Sequence, residues 1–241
     1  MQLTRRAGVL LLAALAGAAL TTRLGVWQLD RAAQKIAIQS ALDSRRALPP
    51  LLGTELARTE QQVHEQEYRA VVVAGHWLPE RTVYLDNRPM NGHAGFFAVT
   101  PLLLDDGSAV LVQRGWLPRD QADRTRIEAP PTPAGPVQVA GHIATSLSRA
   151  SQIGGAGSGP IRQNLDLDAF AAETGLVLRP LAIVQENGAL TPADGLLRDW
   201  PAPAADVQMH YGYAVQWFAM AALIIGLYVW FQLIRPRRLG R

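Results

Sequence analysis

The chain has 241 residues, no cysteine, and a formal net charge of +3 from 23 Lys and Arg against 20 Asp and Glu. Without cysteine, disulfides, thiolate metal sites, iron–sulfur clusters and covalent haem attachment are excluded, so histidine must hold any bound metal. Seven arginines and no acids lie outside residues 30–206, whereas that stretch has 16 basic and 20 acidic residues, net −4. A central segment of this charge excludes nucleic-acid binding, and the bilayer becomes the expected partner of the basic ends.

The first predicted element is an apolar helix over Ala7–Thr22, whose 16 residues measure about 24 Å. A charged start at Arg5 and Arg6 leaves a cleavable signal peptide as one alternative. A retained membrane helix is favoured, because Arg23 can extend to the interface and the apolar sequence continues to the interfacial Trp27. Helical spacing then persists to Arg46 and predicts that the membrane helix continues outward.

The central segment predicts a β-rich external domain. Asp105–Gly107 lies between two β-prone runs and predicts a hairpin, and Leu167–Thr174 predicts a short helix capped by Asp166 and ended by Gly175. The spacing indicates an α+β domain built on an antiparallel β-sheet or partly closed barrel. The six β-prone runs are Tyr68–Trp77, Thr82–Asn87, Gly95–Leu104, Ala109–Trp116, Val137–Ala144 and Val177–Glu186.

A second predicted membrane helix covers Tyr211–Ile234, 24 residues or about 36 Å against a hydrocarbon core of roughly 30 Å. The arginines on both ends predict that both termini are cytoplasmic and that the central domain lies outside, in the periplasm of a bacterium. The expected organisation is a membrane protein with a first span in 1–30, an external domain in 31–206, a second span in 207–234 and a basic tail in 235–241.

The chain carries no recognisable catalytic constellation. It lacks a nucleophile elbow, a phosphate-binding glycine loop and an HExxH motif, and its external histidines at 64, 76, 93 and 142 are scattered without metal-ligand spacing. These features indicate that the protein is not an enzyme.

Several motifs resemble, in order and along nearly the whole chain, the surfeit locus protein 1 family of cytochrome c oxidase assembly factors. The resemblance implies an inner-membrane helper that binds haem a and assists its delivery to the oxidase catalytic subunit, with haem a synthase as a further candidate partner. It also implies that His210 ligates the haem iron. The segments that carry the resemblance are Leu24–Lys35, Tyr84–Arg88, Thr100–Leu102, Val112–Pro118 and His210–Phe218.

His210 can also be considered by its position on the helix. It shares a face with Tyr213, Ala214, Trp217 and Ala221, a surface suited to a flat apolar macrocycle lying over the alanines. An iron ligand must be neutral imidazole, so binding should weaken as falling pH protonates the ring. The alternative is that these aromatic side chains form only an interfacial belt, which needs no cofactor.

The other family-motif residues have alternative interpretations. Arg88 and Arg114 pair either with haem propionates or with carboxylates of the domain. Gly115, expected after a strand, either takes a special backbone conformation or permits close approach. Gln216 is expected to hydrogen-bond across the two membrane helices, with small residues of the first helix allowing contact. The complete set of motif residues is Trp27, Gln28, Arg31, Asn87, Arg88, Arg114, Gly115 and Trp116.

The leading hypothesis is therefore a haem a carrier in oxidase assembly. One alternative is a cofactor-free membrane scaffold that stabilises oxidase assembly intermediates. A membrane-tethered envelope enzyme is a third, which the missing catalytic constellation disfavours.

Overall fold

A computed structural model describes residues 2–120, 122–123, 126–148, 159–200 and 206–235. The chain divides into two compact units, one comprising Met1–Ala41 with Ala202–Arg241 and the other Leu42–Pro201. The predicted basic tail, apart from Arg235, lies outside the described residues.

The first unit consists of two long apolar helices. Helix α1 covers Gln2–Arg46, and α4 covers Val207–Val229 and continues through a π-helical segment, Trp230–Ile234. By length and composition, Arg5–Arg46 and Val207–Ile234 could each cross a membrane. The 45 residues of α1 measure about 67 Å, more than twice the hydrocarbon thickness, so the predicted continuation of the helix to Arg46 is confirmed.

The two helices run antiparallel and meet along a line of small and polar side chains that we call the helix seam. On α1 the seam is formed by buried residues spaced alternately three and four apart, the spacing of a coiled-coil interface. A Cβ atom added to Gly25 would lie 2.7 Å from the ring of Phe218, and one added to Gly17 would lie 3.4 Å from Ile224, so glycine permits this close packing. The seam residues of α1 are Ala18, Thr21, Gly25, Gln28 and Ala32.

Within the described residues, the second unit contains eight strands and two short α-helices. All six predicted β runs form strands, and the predicted short helix has the predicted bounds, N-cap and glycine stop. The strands are β1 Leu51–Leu52, β2 Ala70–Trp77, β3 Val83–Leu85, β4 Gly95–Leu103, β5 Ala109–Pro118, β6 Val137–Ala144, β7 Ile161–Arg162 and β8 Leu178–Gln185, and the helices are α2 Glu60–Gln66 and α3 Leu167–Thr174.

Five strands close into a barrel in the order β2, β6, β8, β5, β4 and back to β2. The ring closes where His76 and Trp77 of β2 pair with the end of β4. Four of the five ring contacts are antiparallel, and β5 with β8 is parallel. The predicted barrel is therefore confirmed. It differs from the predicted antiparallel arrangement in one strand pair, β5 with β8, which is parallel.

Alternating apolar residues of the ring strands contribute to two large buried clusters and to a smaller third one around Phe96 of β4. One set fills the barrel, because each of the five strands contributes side chains to the same buried cluster. The opposite faces of β4, β5 and β8 form a second cluster with β3 and α3, in which Phe170 of α3 is 2% exposed. The residues of the ring that fill the barrel are Val71, Val73, Trp77, Leu102, Val110, Val112, Val139, Ile143, Leu181 and Ile183.

The hairpin between β4 and β5 turns at Asp105–Gly107, as predicted, with Gly107 at φ +80°. The carboxylate of Asp106 accepts hydrogen bonds from the backbone N–H and the hydroxyl of Ser108. It also pairs with Arg179 at 2.6 Å and with Arg58 at 2.9 Å. The turn is thus anchored to β8 and to the segment before α2.

Candidate functional site

No cluster of three or more histidine, cysteine or acidic side chains that could hold a metal ion occurs in the part of the chain that the structure describes. Of the external histidines, His142 on β6 lies 2.8 Å from Glu186, whose carboxylate also pairs with Arg46 at 3.0 Å. The hydrogen bond from His142 lowers the pKa of Glu186. The cluster of His142, Glu186 and Arg46 connects the end of α1 with β6 and the end of β8, so its role is structural.

The candidate site lies on the helix seam, where α4 begins. His210 is in the first turn of α4, and its Nδ1 atom lies 2.7 Å from Oε1 of Gln28 on α1. Gln28 is 8% exposed, so its carbonyl oxygen has little access to solvent and satisfies its hydrogen-bonding capacity with the imidazole. Asp206, one turn before His210, lies 3.3 Å from Lys35, two turns beyond Gln28, and this pair joins the same two helices.

The second ring nitrogen of His210 has a different environment. Among the described residues no group hydrogen-bonds to Nε2, and the side chain is only partly buried. An imidazole with one nitrogen fixed and the other open has the donor set of a haem axial ligand. The residues present therefore fit the haem that the family resemblance implies.

The aromatic residues predicted to accompany His210 are accessible, and the alanines are not. Tyr213 is 50% exposed and Trp217 is partly buried, whereas Ala214 and Ala221 are 2% and 6% exposed. The predicted stacking of a macrocycle over the alanines is wrong, because the seam already covers that face. Tyr213 and Trp217 remain predicted cofactor contacts.

Two other motif residues lie beside Gln28 on α1. Trp27 is 47% exposed, and the guanidinium of Arg31 lies 5.6 Å from the centre of its ring, a cation–π distance. Arg31 also donates to Gln34, at 3.1 Å. Because residues three or four apart share a helix surface, Arg31, three residues after Gln28, places a cation next to the candidate site.

The polar contact between the helices differs from the prediction. Gln216 is exposed and has no hydrogen-bond partner among the described residues. Gln28 makes the cross-helix hydrogen bond instead, since it lies on the seam and Gln216 does not. The four small residues expected to permit contact do so in part: Ala18 is buried, Ala14 and Gly17 are partly buried, and Ala13 is exposed.

The central motif residues serve the fold of the second unit. Asn87 has a left-handed backbone, φ +58°, in the turn after β3. Arg88 is 4% exposed and donates to the carbonyl oxygens of Asp86, Ser148 and Gln163 at 2.6–2.8 Å. Burial lowers the pKa of Arg88. The predicted carboxylate partner of Arg88 is wrong, because backbone carbonyls, with the side-chain oxygen of Asn164, take its place.

Trp116 and Gly115 also serve the fold of the second unit. They lie inside β5 rather than after it, and the indole Nε1–H of Trp116 donates to the carbonyl of Arg88 at 2.7 Å. A Cβ atom at Gly115 would lie 2.6 Å from Cβ of Leu196. Glycine at position 115 therefore permits close packing against Leu196. A left-handed backbone is not the reason, because φ is not positive at this position.

Arg114 forms the predicted pair with a carboxylate of the domain. Its Nη2 atom lies 3.4 Å from Asp194, which also binds Arg198 at 2.6 Å, and all three side chains are at most 2% exposed. Arg114 donates further to Thr132 and lies 4.8 Å from the ring of Trp77. Burial lowers the pKa of Arg114, while Asp194 acts against that shift.

Sequence reasoning missed Asp194 and Arg198 and the partnership of Gln28 with His210. Asp194 and Arg198 lie in a segment without a regular element, where no periodicity distinguishes a buried charge from a loop residue. Gln28 was identified only as a motif residue, because 182 positions separate it from His210.

The fold and the site define a protein with a five-stranded barrel and two apolar helices. Its candidate metal ligand is a histidine on the helix pair. The chain belongs to the SURF1 family, whose sequence profile matches residues 15–222.

Named relatives extend the comparison. The chain is 31% identical over 99 residues to the cytochrome oxidase assembly protein SHY1 of Saccharomyces cerevisiae, covering 41% of this chain and 25% of the yeast protein. It is 30% identical over 227 residues to an uncharacterised SURF1-like protein of Mycobacterium tuberculosis, covering 90% and 80%. With surfeit locus protein 1 of Rattus norvegicus it shares 26% identity over 228 residues, covering 87% and 70%.

Proposed function

We propose that this chain is a cytochrome oxidase assembly factor that holds haem a at His210 and passes it to the catalytic subunit. The family membership and the name of the yeast relative support the role in oxidase assembly. The observation that carries the haem proposal is the contact between Nδ1 of His210 and Gln28, which leaves Nε2 available as a ligand.

The proposed surroundings of the haem come from residues next to His210. Tyr213 and Trp217 supply aromatic contacts, and Arg31 supplies a cation for a propionate. Arg88 and Arg114 do not serve this purpose, because their guanidinium groups are buried against partners in the barrel. When bound, haem a supplies only an iron that accepts the imidazole, and the protein's contribution is to hold and release it.

The proposed location is the bacterial inner membrane. Both apolar helices cross the bilayer, and the arginines at the two ends of the chain remain in the cytoplasm. The barrel then lies in the periplasm, and His210, at the start of α4, lies at the outer interface. The catalytic subunit and haem a synthase are the proposed partners.

The test is purification of the full chain from cells that make haem a, followed by absorption spectroscopy. The wild type should carry a haem a band that His210→Ala and His210→Gln both lose. Glutamine keeps an amide that can bond to Gln28, so its loss of the band separates iron ligation from helix packing. His76→Ala, which removes an exposed histidine of β2, should retain the band.

A wild-type protein without haem that still captures the catalytic subunit would favour the cofactor-free scaffold. Retention of the full haem a band by both His210 variants would refute His210 as the ligand.

A further inference from the structure

Among the described residues, Gln28 is the side chain that hydrogen-bonds to the imidazole of His210. Its Oε1 atom is 2.7 Å from Nδ1, and the side chain is buried on the seam between Thr21 and Ala32. The same face of α1 is otherwise formed by small residues, so a long polar side chain at this position is an exception with a specific partner.

The chemistry of this contact sets the proton position on the ring. A neutral imidazole carries one N–H, and a carbonyl oxygen can only accept a hydrogen bond. Facing Oε1, the Nδ1 atom must therefore be the protonated nitrogen, and the lone pair is left on Nε2. Partners of this kind fix the tautomer and orientation of histidines that bind metals.

The choice of an amide also matters for the strength of the ligand. A carboxylate in this place would put an uncompensated charge between two apolar helices and would pull the Nδ1 proton more strongly. The neutral carbonyl orients the ring without that charge and makes it a weaker base. A carrier that must release its cargo requires a ligand of this moderate strength.

We infer that Gln28 is the positioning residue that holds His210 as the Nδ1–H tautomer and presents Nε2 to the iron. This inference rests on the proposed function for the identity of the metal group, but the tautomer itself is a property of the haem-free protein. Gln28 does not touch the iron and acts only through His210.

The first experiment measures the tautomer in the haem-free full chain, using nitrogen NMR of protein labelled at histidine. The wild type should show Nδ1 protonated and Nε2 unprotonated at neutral pH. Gln28→Leu should lose that preference, and Gln28→Glu should keep it because an acceptor oxygen remains. Gln216→Leu removes an exposed glutamine of α4 and should leave the tautomer unchanged.

The second experiment uses the haem-loaded chain. Gln28→Leu should weaken haem a binding by about 10- to 100-fold, the usual cost of losing such a partner. Gln28→Glu should bind haem and shift its midpoint potential to lower values, because the imidazole becomes a stronger donor. Gln216→Leu should match the wild type in both affinity and potential.

The outcomes separate the two proposals. A wild-type His210 protonated at Nε2, or a Gln28→Leu variant with unchanged tautomer and affinity, would overturn the role of Gln28 even if haem is bound. A wild type that binds no haem would overturn the proposed carrier function, while the NMR measurement would still decide whether Gln28 fixes the tautomer.

Discussion

The indole of Trp116 donates to the backbone carbonyl of Arg88 across 2.7 Å, and so joins β5 to the turn that follows β3. Arg88 extends the connection, since its guanidinium binds the carbonyls of Ser148 and Gln163. Two side chains thereby hold four separate segments of the barrel unit together. The hydrogen bonds of Trp116 and Arg88 therefore have a structural role that requires no bound ligand.

Trp116→Phe should lower the free energy of unfolding by about 1–3 kcal/mol, because the buried carbonyl of Arg88 loses its donor. Thermal or denaturant unfolding of the purified full chain, followed by near-ultraviolet circular dichroism, measures the change. The control is Trp27→Phe, which alters an indole that is 47% exposed and should have a much smaller effect. Equal stability of Trp116→Phe and the wild type would contradict this account.

Asp194→Asn should lower the free energy of unfolding by about 3–5 kcal/mol, because it leaves Arg114 and Arg198 buried without a counter-charge. Arg114→Met should cost less, since the closer Arg198–Asp194 pair remains neutral overall. The double variant should be more stable than Asp194→Asn alone, because one unpaired cation is gone. Denaturant unfolding of the four proteins tests the order, and a double variant less stable than Asp194→Asn would refute it.

Acid should weaken the hairpin anchor at Asp106. Hydrogen bonds from Ser108, with smaller contributions from Arg179 and Arg58, lower the pKa of Asp106 from 3.8 to about 2. A lowered folded-state pKa means that the stabilisation is complete above pH 4 and disappears as pH falls towards 2. Asp106→Asn should therefore be less stable at pH 7 and show a shallower loss of stability over this range.

The control for this pH series is Asp105→Asn, because Asp105 makes no hydrogen bond or ion pair within the described residues. Its unfolding curve should follow that of the wild type from pH 7 to acid. An acid limb that is identical for wild type and Asp106→Asn would show that Asp106 carries no such linkage.

Gly25→Ala should disturb the helix seam, because the added Cβ would lie 2.7 Å from the ring of Phe218. Since Gln28 lies one turn further along α1, the shift should also lower haem a occupancy in the full chain. Gly8→Ala meets no atom within 4 Å and is the matched control. Combining Gly25→Ala with Phe218→Ala should restore part of the occupancy, and a double variant no better than Gly25→Ala would argue against a steric cause.

Much of the barrel could be predicted because its strands are long enough to show their pattern. The bounds of α3 followed from Asp166 and Gly175, whose local chemistry starts and stops a helix. The two-residue strands β1 and β7 were missed, because each is defined by its neighbour rather than by its own sequence. The parallel pairing of β5 with β8 joins residues some 70 positions apart and leaves no local signal.

The site was predicted in part. His210 and Gln28 were both found through the family resemblance, but their contact depends on how two distant helices align. The face of α4 was misjudged for the same reason. Helical periodicity groups Ala214 with Tyr213, and only the packed structure shows which of the two is covered.

The closed ring of strands also determines when the barrel can complete its folding during synthesis. β8 lies between β5 and β6, so the circle stays open until the ribosome has produced Gln185, after β2, β4, β5 and β6 already exist. For that interval β5 and β6 carry unsatisfied backbone edges that can pair with other nascent chains. Only about twenty residues then separate completion of the ring from the start of α4, so His210 is synthesised shortly after the last strand of the ring.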